Sequence, residues 1–419
     1  MGVEPTRLKT QAETGLAAQF AALGEVAVDR KAAFARFEAQ GLPHKRVEAY
    51  HFTDVRAQLR TALPVADKPD HAAIRAAHLR LGVPNHACRI VVLDGYFVAE
   101  LSSPMPDGVL AGASAGTHLA GFPDDPLLDL VNAFGPHGLF LRIAPDVTVE
   151  KPIEVLRLHT LGAAKAVFSQ DFVHLESGAS LTLLETHATQ GEAGQVHSAA
   201  VMVLDAGARL AHSCVFDGGV GQAFLSQQVR LCARTSFDSH ALLTGGTLTR
   251  RQMFLKFAGE HAQASLNGVG LLRGAGHADT TLQVEHAAAH CTSRETFRHI
   301  IDDEAIGVFQ GKIIVKPGAQ KTDGKMMSKA VLLAETGVMN NKPELEIFAD
   351  DVVCGHGATV GALDEDQLFY AQQRGIPKPE AEALLLEAFA GEVFDTMSDA
   401  GSAALMREKV AAWLGERKA

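Results

Sequence analysis

Apolar residues recur at three- and four-residue spacing early in the chain, as Phe20, Leu23 and Val26 and then Phe34 and Phe37. That period lines one face of a helix, so residues 6 to about 60 are predicted helical, interrupted at Gly41-Leu42-Pro43. One more helix is expected over residues 70–80. The period then changes. Arg89-Ile90-Val91-Val92-Leu93 reads as a strand, Asp94-Gly95 as a turn, and Tyr96-Phe97-Val98 as the continuation.

From about residue 138 short alternating strands follow one another, among them Leu139–Ile143, Val147–Val149 and Ile153–Leu158. The text also repeats. Leu175-Glu176-Ser177-Gly178-Ala179-Ser180-Leu181 returns as Leu204-Asp205-Ala206-Gly207-Ala208-Arg209-Leu210. A weaker copy, Leu231-Cys232-Ala233-Arg234-Thr235-Ser236-Phe237, follows at nearly the same interval. Each copy is an apolar strand end, a turn of small residues and a new strand. Such a period without intervening helices fits a solenoid of stacked β-coils, with small residues at the tight corners. A β-sandwich with similar hairpins is the alternative that the pattern leaves open. Strand-like text continues to about Val353. Pro377 and Pro379 then mark a helix start, and Leu385, Phe389 and Val393 share one face. Gly401-Ser402 interrupts, and a final helix carries Leu405, Val410, Trp413 and Leu414. The expected organisation is mainly β: a helical region 1–85, a connecting α/β segment 86–137, a β core 138–353 and a closing region 354–419 that ends in helices.

The length of 419 residues exceeds the usual single compact core. With 47% hydrophobic and 21% charged residues the chain is not disordered. Its net charge, 38 − 49 = −11, makes it a poor partner for nucleic acid or an anionic membrane. Most of that charge sits in one stretch. From Glu344 to Asp395 there are 12 acids against the two bases Arg374 and Lys378. This is either a solvated surface or a face that docks a basic protein. The N-terminal stretch lacks the apolar core of an export signal, and no apolar run of about 18 residues occurs, so a cytoplasmic chain with no membrane span is expected. That expectation, with one Trp and three Tyr for stacking on sugars, argues against a β-helix enzyme acting on polysaccharide. Five cysteines without a CxxC pair read as reduced thiols.

Gly307-Val308-Phe309-Gln310-Gly311-Lys312-Ile313 approaches a phosphate-binding loop. It is one residue short between its glycines, and Ile313 stands where a hydroxyl should hold magnesium, so no nucleotide is expected on this chain. The 19 histidines are scattered. His159 and His174 have no partner at ligand spacing, and His286 and His290 enclose only alanines. The segment Ala349-Asp350-Asp351-Val352-Val353-Cys354-Gly355-His356-Gly357-Ala358-Thr359 differs. If it is extended, Cys354 and His356 point to one face. Thiolate and imidazole both suit iron or zinc. Two ligands do not close a site, so the others would come from elsewhere or from another chain, and Gly355 and Gly357 permit its close approach. A tight turn with His356 capping backbone groups is the competing reading, and residue chemistry leaves both open. Stacking could also bring Cys214, Cys232 and Cys291 together to hold a cluster unaided, although each reads more simply as a small buried hydrophobe.

Several stretches resemble the SufB/SufD family. They are Val308-Phe309-Gln310-Gly311-Lys312-Ile313, Ala319-Gln320-Lys321-Thr322-Asp323, Lys342-Pro343-Glu344-Leu345-Glu346-Ile347, Ala349-Asp350-Asp351-Val352, Cys354-Gly355-His356-Gly357-Ala358-Thr359-Val360-Gly361, and Leu363 to Tyr370 with Arg374-Gly375-Ile376. The run around Cys354 has the SufD form. Arg46, Glu48, Tyr50 and Thr53 resemble an early SufD motif, with Tyr50 where Trp is usual, and Lys325-Met326-Met327-Ser328 departs from the family text. The resemblance implies a right-handed parallel β-helix flanked by N-terminal and C-terminal helical regions. It implies a non-catalytic scaffold subunit of the cytoplasmic SufBCD complex for iron–sulfur cluster assembly. Such a subunit pairs with SufB through the β-helices and docks the SufC ATPase through its C-terminal helices; a homodimer in the absence of SufB stays open. By the same resemblance Cys354 and His356 lie at the interface and share iron or a nascent iron–sulfur cluster with SufB ligands.

Overall fold

The repeat in the sequence is the coil of the fold. In the computed structural model Leu175 lies opposite Leu204, which lies opposite Leu231. One strand further on, Leu181, Leu210 and Phe237 align in the same way. The steps from Leu175 to Leu204 and from Leu204 to Leu231 are therefore two successive coils. Residues 8–78, 88–116, 119, 121–160, 164–189, 194–217, 219 and 221–417 are described.

Consecutive strands alternate between two sheets, and each pairs in parallel with the strand one coil away. The first sheet runs from Val353–Gly361 through Asp323–Leu332, Thr292–Ile301, Gln263–Leu272, Ser236–Thr244, Arg209–Asp217, Ser180–Thr189 and Ile153–His159 to Cys88–Leu93 and Tyr96–Phe97. The second runs from Val338–Ile347 through Ile306–Val315, His277–His286, Leu248–Phe257, Gln222–Leu231, Gln195–Leu204 and Ala166–Leu175 to Leu139–Ile143 and Val109–Ala113. The result is a β-solenoid of about seven turns with helices at both ends of the chain. Alternation along each strand turns one set of side chains inward, and Leu181, Leu210, Phe237, Leu255, Leu266, Val284, Phe297 and Ile313 fill the space between the sheets.

One corner shows why the coils stack. Gly178, Gly207, Arg234, His261, His290 and Lys321 all adopt left-handed backbone, with φ between 58° and 76°. Their N–H groups donate to the carbonyls of Ala206, Ala233, Glu260, Ala289, Gln320 and Asp351, each one coil on. The residues that follow them, Ala179, Ala208, Thr235, Ala262, Cys291 and Thr322, are small and buried. Only two of the six corners use glycine. Each of the others costs about 1–2 kcal/mol in a left-handed conformation, which the coil-to-coil hydrogen bond and the buried small residue offset.

Helices cover the outer faces. Gln11–Ala22, Val28–Gln40 and Pro126–Phe134 lie over the second sheet, where Phe34 and Phe134 pack with Phe168, Phe224 and Leu248. The first of these starts at a capping box of Thr10 and Glu13, and Asp125 caps the third ahead of Pro126. Lys378–Gly391 and Ala400–Glu416 lie over the first sheet, placing Leu386, Ala390, Phe394, Met406 and Trp413 on Val215, Leu242, Leu271, Ile300 and Val331. Among the described residues no helix is long and apolar enough to cross a membrane.

Some local expectations are corrected by the fold. The predicted helical run 6–60 is two helices parted at Gly24, whose φ is 71°, followed by a 3-10 turn at Glu48–Tyr50 and the short helix Val55–Gln58. The helix expected over 70–80 is His71–His78 as far as the described residues reach. Val147–Val149 forms only one bridge, Thr148 to Ser180. Cys88–Leu93 pairs with Ile153–His159, so the first sheet begins within the segment read as a connector. The helices Pro126–Phe134 and Glu365–Gln373 are additions to the elements that the pattern predicts. In Lys378–Gly391 the fully buried line is Ala381, Leu386 and Ala390, not Leu385 and Phe389. Three successive leucines make more than one apolar face available, and the sheet selects among them.

Candidate metal-ligating edge of the solenoid

The solenoid has an open end. Val338–Ile347 and Val353–Gly361 are the edge strands of their sheets, each with a neighbour on one side only among the described residues. Val338, Ile347, Phe348, Val353 and Val360 are exposed there. Unpaired strand edges with exposed apolar side chains are templates for another chain.

Cys354 and His356 lie on one of these strands. The segment is extended rather than a turn, and Cys354 and His356 stand opposite Gly324 and Met326. Met326 belongs to the interior core. The two-residue alternation therefore turns Cys354 and His356 together toward the interior, as the spacing predicts. Cys354 is half-buried and packs against that core, while His356 is exposed at the mouth. Burial pushes the Cys354 thiol above its ordinary range, and the carboxyls of Asp323 and Glu295 push it further, against a backbone hydrogen bond from Gly324. Acids around a thiol disfavour a bare thiolate and favour a cation that takes the proton's place.

Glu295 joins these residues only in the folded chain. Pairing aligns Leu266, Glu295, Met326 and His356 in one row across the first sheet. Glu295 is 1% exposed, and no arginine, lysine or histidine pairs with it among the described residues. Burial raises it to about 8, against a hydrogen bond from Ser293 and the charge of Arg294. In the adjacent row, Ser293, Gly324 and Cys354 align, and Ser293 Oγ lies 3.1 Å from Nε2 of His286. No sequence signal marks Glu295, because its neighbours arrive from strands one coil away on either side.

A second interior group lies deeper. Among the described residues, Glu185, His187 and Cys214 bring three potential ligand atoms within 4.8 Å of one another. This group closes on itself. Arg157 donates to Glu185 and to Asp171, each at 2.6 Å. Glu185 also meets Nε2 of His187 at 2.9 Å and Nε2 of His212 at 3.4 Å. Burial, with the charge of Glu185, pushes the Cys214 thiol up to about 12. Glu185 is thus the hub of a satisfied hydrogen-bond network.

His159 joins this group, its Nε2 3.3 Å from Nδ1 of His187, and the other candidates lie apart from it. His159 stacks on His187, and His174 pairs with Asp205 at 2.9 Å. His286 faces the interior, whereas His290 sits at a left-handed corner stacked on His261. Cys232 and Cys291 occupy coil corners, away from Cys214 in its strand. The segment 307–313 lies within the strand Ile306–Val315 and forms no loop to cradle phosphate. The acidic stretch includes the helix Glu365–Gln373, capped by Asp364, which exposes Phe369 and Tyr370 beside its acids.

Comparison with known proteins agrees with this architecture. Residues 158–389 match the SufBD core domain of the SUF system for iron–sulfur cluster assembly, and residues 13–155 match the SufBD protein N-terminal region. The chain is similar to the iron–sulfur cluster assembly protein SufD of Escherichia coli, 27% identical over 90% of this chain and 89% of the relative. It is similar to an iron–sulfur cluster assembly SufBD family protein of Synechocystis, 25% identical over 88% of this chain and 87% of the relative. It is also similar to SufD of Bacillus subtilis, 27% identical over 62% of this chain and 60% of the relative.

Proposed function

The chain belongs to the SufBD family and has a role in iron–sulfur cluster assembly, and on that premise we propose that it is the SufD-like scaffold subunit of a SufBCD complex. It pairs with SufB across the open end of the solenoid and docks the SufC ATPase through its C-terminal helical region. The chain itself is a non-catalytic subunit that works in the cytoplasm and binds no nucleotide. The observation that carries this reading is the juxtaposition at the open end. The same unpaired strands that offer backbone groups to a partner also carry exposed apolar residues, a half-buried thiol and an exposed imidazole. A partner strand added there would face Cys354 and His356 with its own ligands.

The cargo at this edge is iron, later part of a nascent cluster, held jointly with SufB. Burial, with the charge of Asp323, holds the Cys354 proton in place until a cation displaces it. That favours iron over sulfide as the species this chain receives. Exposed Phe369, Tyr370 and Leu384, set among acids, supply a patch of the kind an ATPase partner would cover. Dimerisation of SufC would then pull on the helical regions and open the interface, which requires two packings only a few kcal/mol apart.

The test is co-expression with SufB and SufC of the same organism, followed by light scattering on a sizing column. A complex with the mass of one copy of this chain, one SufB and two SufC supports the assignment. A chain that elutes alone, or as a homodimer that ignores both partners, overturns it.

A further inference from the structure

Glu185 stands directly opposite Cys214 where the strands Ser180–Thr189 and Arg209–Asp217 pair. Alternation turns His187 inward two residues after Glu185, and His212 inward two residues before Cys214. Two successive coils thus bring a carboxylate, a thiol and two imidazoles together inside the solenoid, all of them buried. One donor atom from each of Glu185, His187 and Cys214 lies within 4.8 Å of the others. The ligands of a tetrahedral zinc-class ion, bound at about 2.0–2.3 Å, stand roughly 3.3–3.8 Å apart. Side-chain movements of about an ångström close the group to that spacing.

The surrounding hydrogen bonds have the layout found behind metal ligands. His187 and His212 each turn Nε2 to Glu185, at 2.9 Å and 3.4 Å. The far nitrogen of each ring has a partner of its own. Nδ1 of His187 meets Nε2 of His159 at 3.3 Å, and Nδ1 of His212 meets Ser239 Oγ at 3.4 Å. Arg157 holds Glu185 from behind and is itself paired with Asp171. The network leaves out Cys214, whose sulfur has no hydrogen bond among the described residues. Packing does not account for it either. Cys88 and Cys291 belong to the apolar core between the sheets, whereas Cys214 does not. It faces a carboxylate instead.

We propose that Glu185, His187, His212 and Cys214 hold a structural divalent ion of the zinc class, which ties two coils together. Thiolate, imidazole and carboxylate are the donors that such borderline ions take, and four protein ligands leave no position for a substrate. Cys214 and Glu185 supply the two negative charges. The site lies far along the sheet from Val353–Gly361 and does not depend on the reading of Cys354. Binding releases the thiol proton of Cys214 to solvent. Each histidine shifts its proton from Nε2 to Nδ1, where His159 and Ser239 accept it, and no electron is transferred. Because the group is enclosed, the ion enters as the chain folds.

The experiment is expression of the full chain in cobalt-supplemented medium and purification in the presence of a chelator, with metal content and absorption as readouts. The native chain is expected to retain one Co(II), with the visible bands of tetrahedral cobalt and a thiolate charge-transfer band. Cys354→Ser should give the same spectrum. Cys214→Ala should lose the charge-transfer band and retain at least tenfold less cobalt, and His187→Gln should retain at least tenfold less. Should Cys214→Ala fail to fold, Cys214→Ser is read in the same way. A native chain free of cobalt overturns the proposal, as does a charge-transfer band that survives Cys214→Ala. A band lost in Cys354→Ser and kept in Cys214→Ala belongs to the edge; it overturns the interior site while leaving the edge reading intact.

Discussion

The buried carboxyl of Glu295 predicts a pH-dependent stability that a single amide should abolish. In the unfolded chain this group titrates near 4.5, whereas in the folded interior it titrates at about 8 because burial disfavours its charge. Below pH 4.5 both states hold the proton, and the group contributes nothing to the pH dependence. Between 4.5 and 8 the folded state keeps the proton that the unfolded state loses. Stability therefore falls as pH rises, by about 1.4 kcal/mol per unit. Over the whole window the loss is on the order of 5 kcal/mol, and it is constant above pH 8. Glu295→Gln has no such proton. Its advantage over the native chain should be near zero at pH 4.5 and grow to the full amount by pH 8. In a chain this long that corresponds to a gap in midpoint temperature on the order of 5 °C. The assay is thermal unfolding of both proteins from pH 5 to 8 with a chelator present. Groups common to both cancel in the difference, and the Cys354 thiol, held above its ordinary range, stays protonated throughout. A gap that does not change between pH 5 and 8 refutes the reasoning, because Glu295 would then be ionised and partnered in the folded chain.

Three other outcomes follow from the same structure. Arg157→Met removes the cation shared by Asp171 and Glu185 inside the solenoid. It should cost about 3–5 kcal/mol, read as a lower denaturant midpoint. His356→Ala, at an exposed position, should leave thermal stability unchanged but lower cluster formation by the reconstituted complex; full assembly by this variant would remove His356 from the proposed site. Val360→Lys places a charge on the exposed edge strand and should abolish co-elution with the partner without shifting the melting point.

The coil is legible in the sequence where glycine marks its corner and hidden elsewhere. Gly178 and Gly207 reveal the repeat, but Arg234, His261, His290 and Lys321 take the same left-handed conformation without a glycine. The hydrogen bond to the next coil holds them, and no local signal reports it. The acid–thiol–imidazole segment is legible for a related reason, since Cys354 and His356 share one strand and alternation alone puts them on one face. Glu295 and the group around Glu185 are not legible. Their neighbours come from other coils, and register exists only once the stack has formed. The helix Pro126–Phe134 carries a readable start in Asp125-Pro126, yet it is short and lies between strands whose pattern is stronger.

The C-terminal helices act as a splint. Their apolar face reaches Val215, Leu242, Leu271, Ile300 and Val331, which belong to five successive strands of one sheet. A load applied to these helices is shared along the length of the stack and does not fall on the last coil alone. Flexing the splint would bend the stack as a unit, with Val353–Gly361, which pairs on one side only among the described residues, at its tip. A motor gripping the helices would in this way work a lever whose tip carries Cys354 and His356.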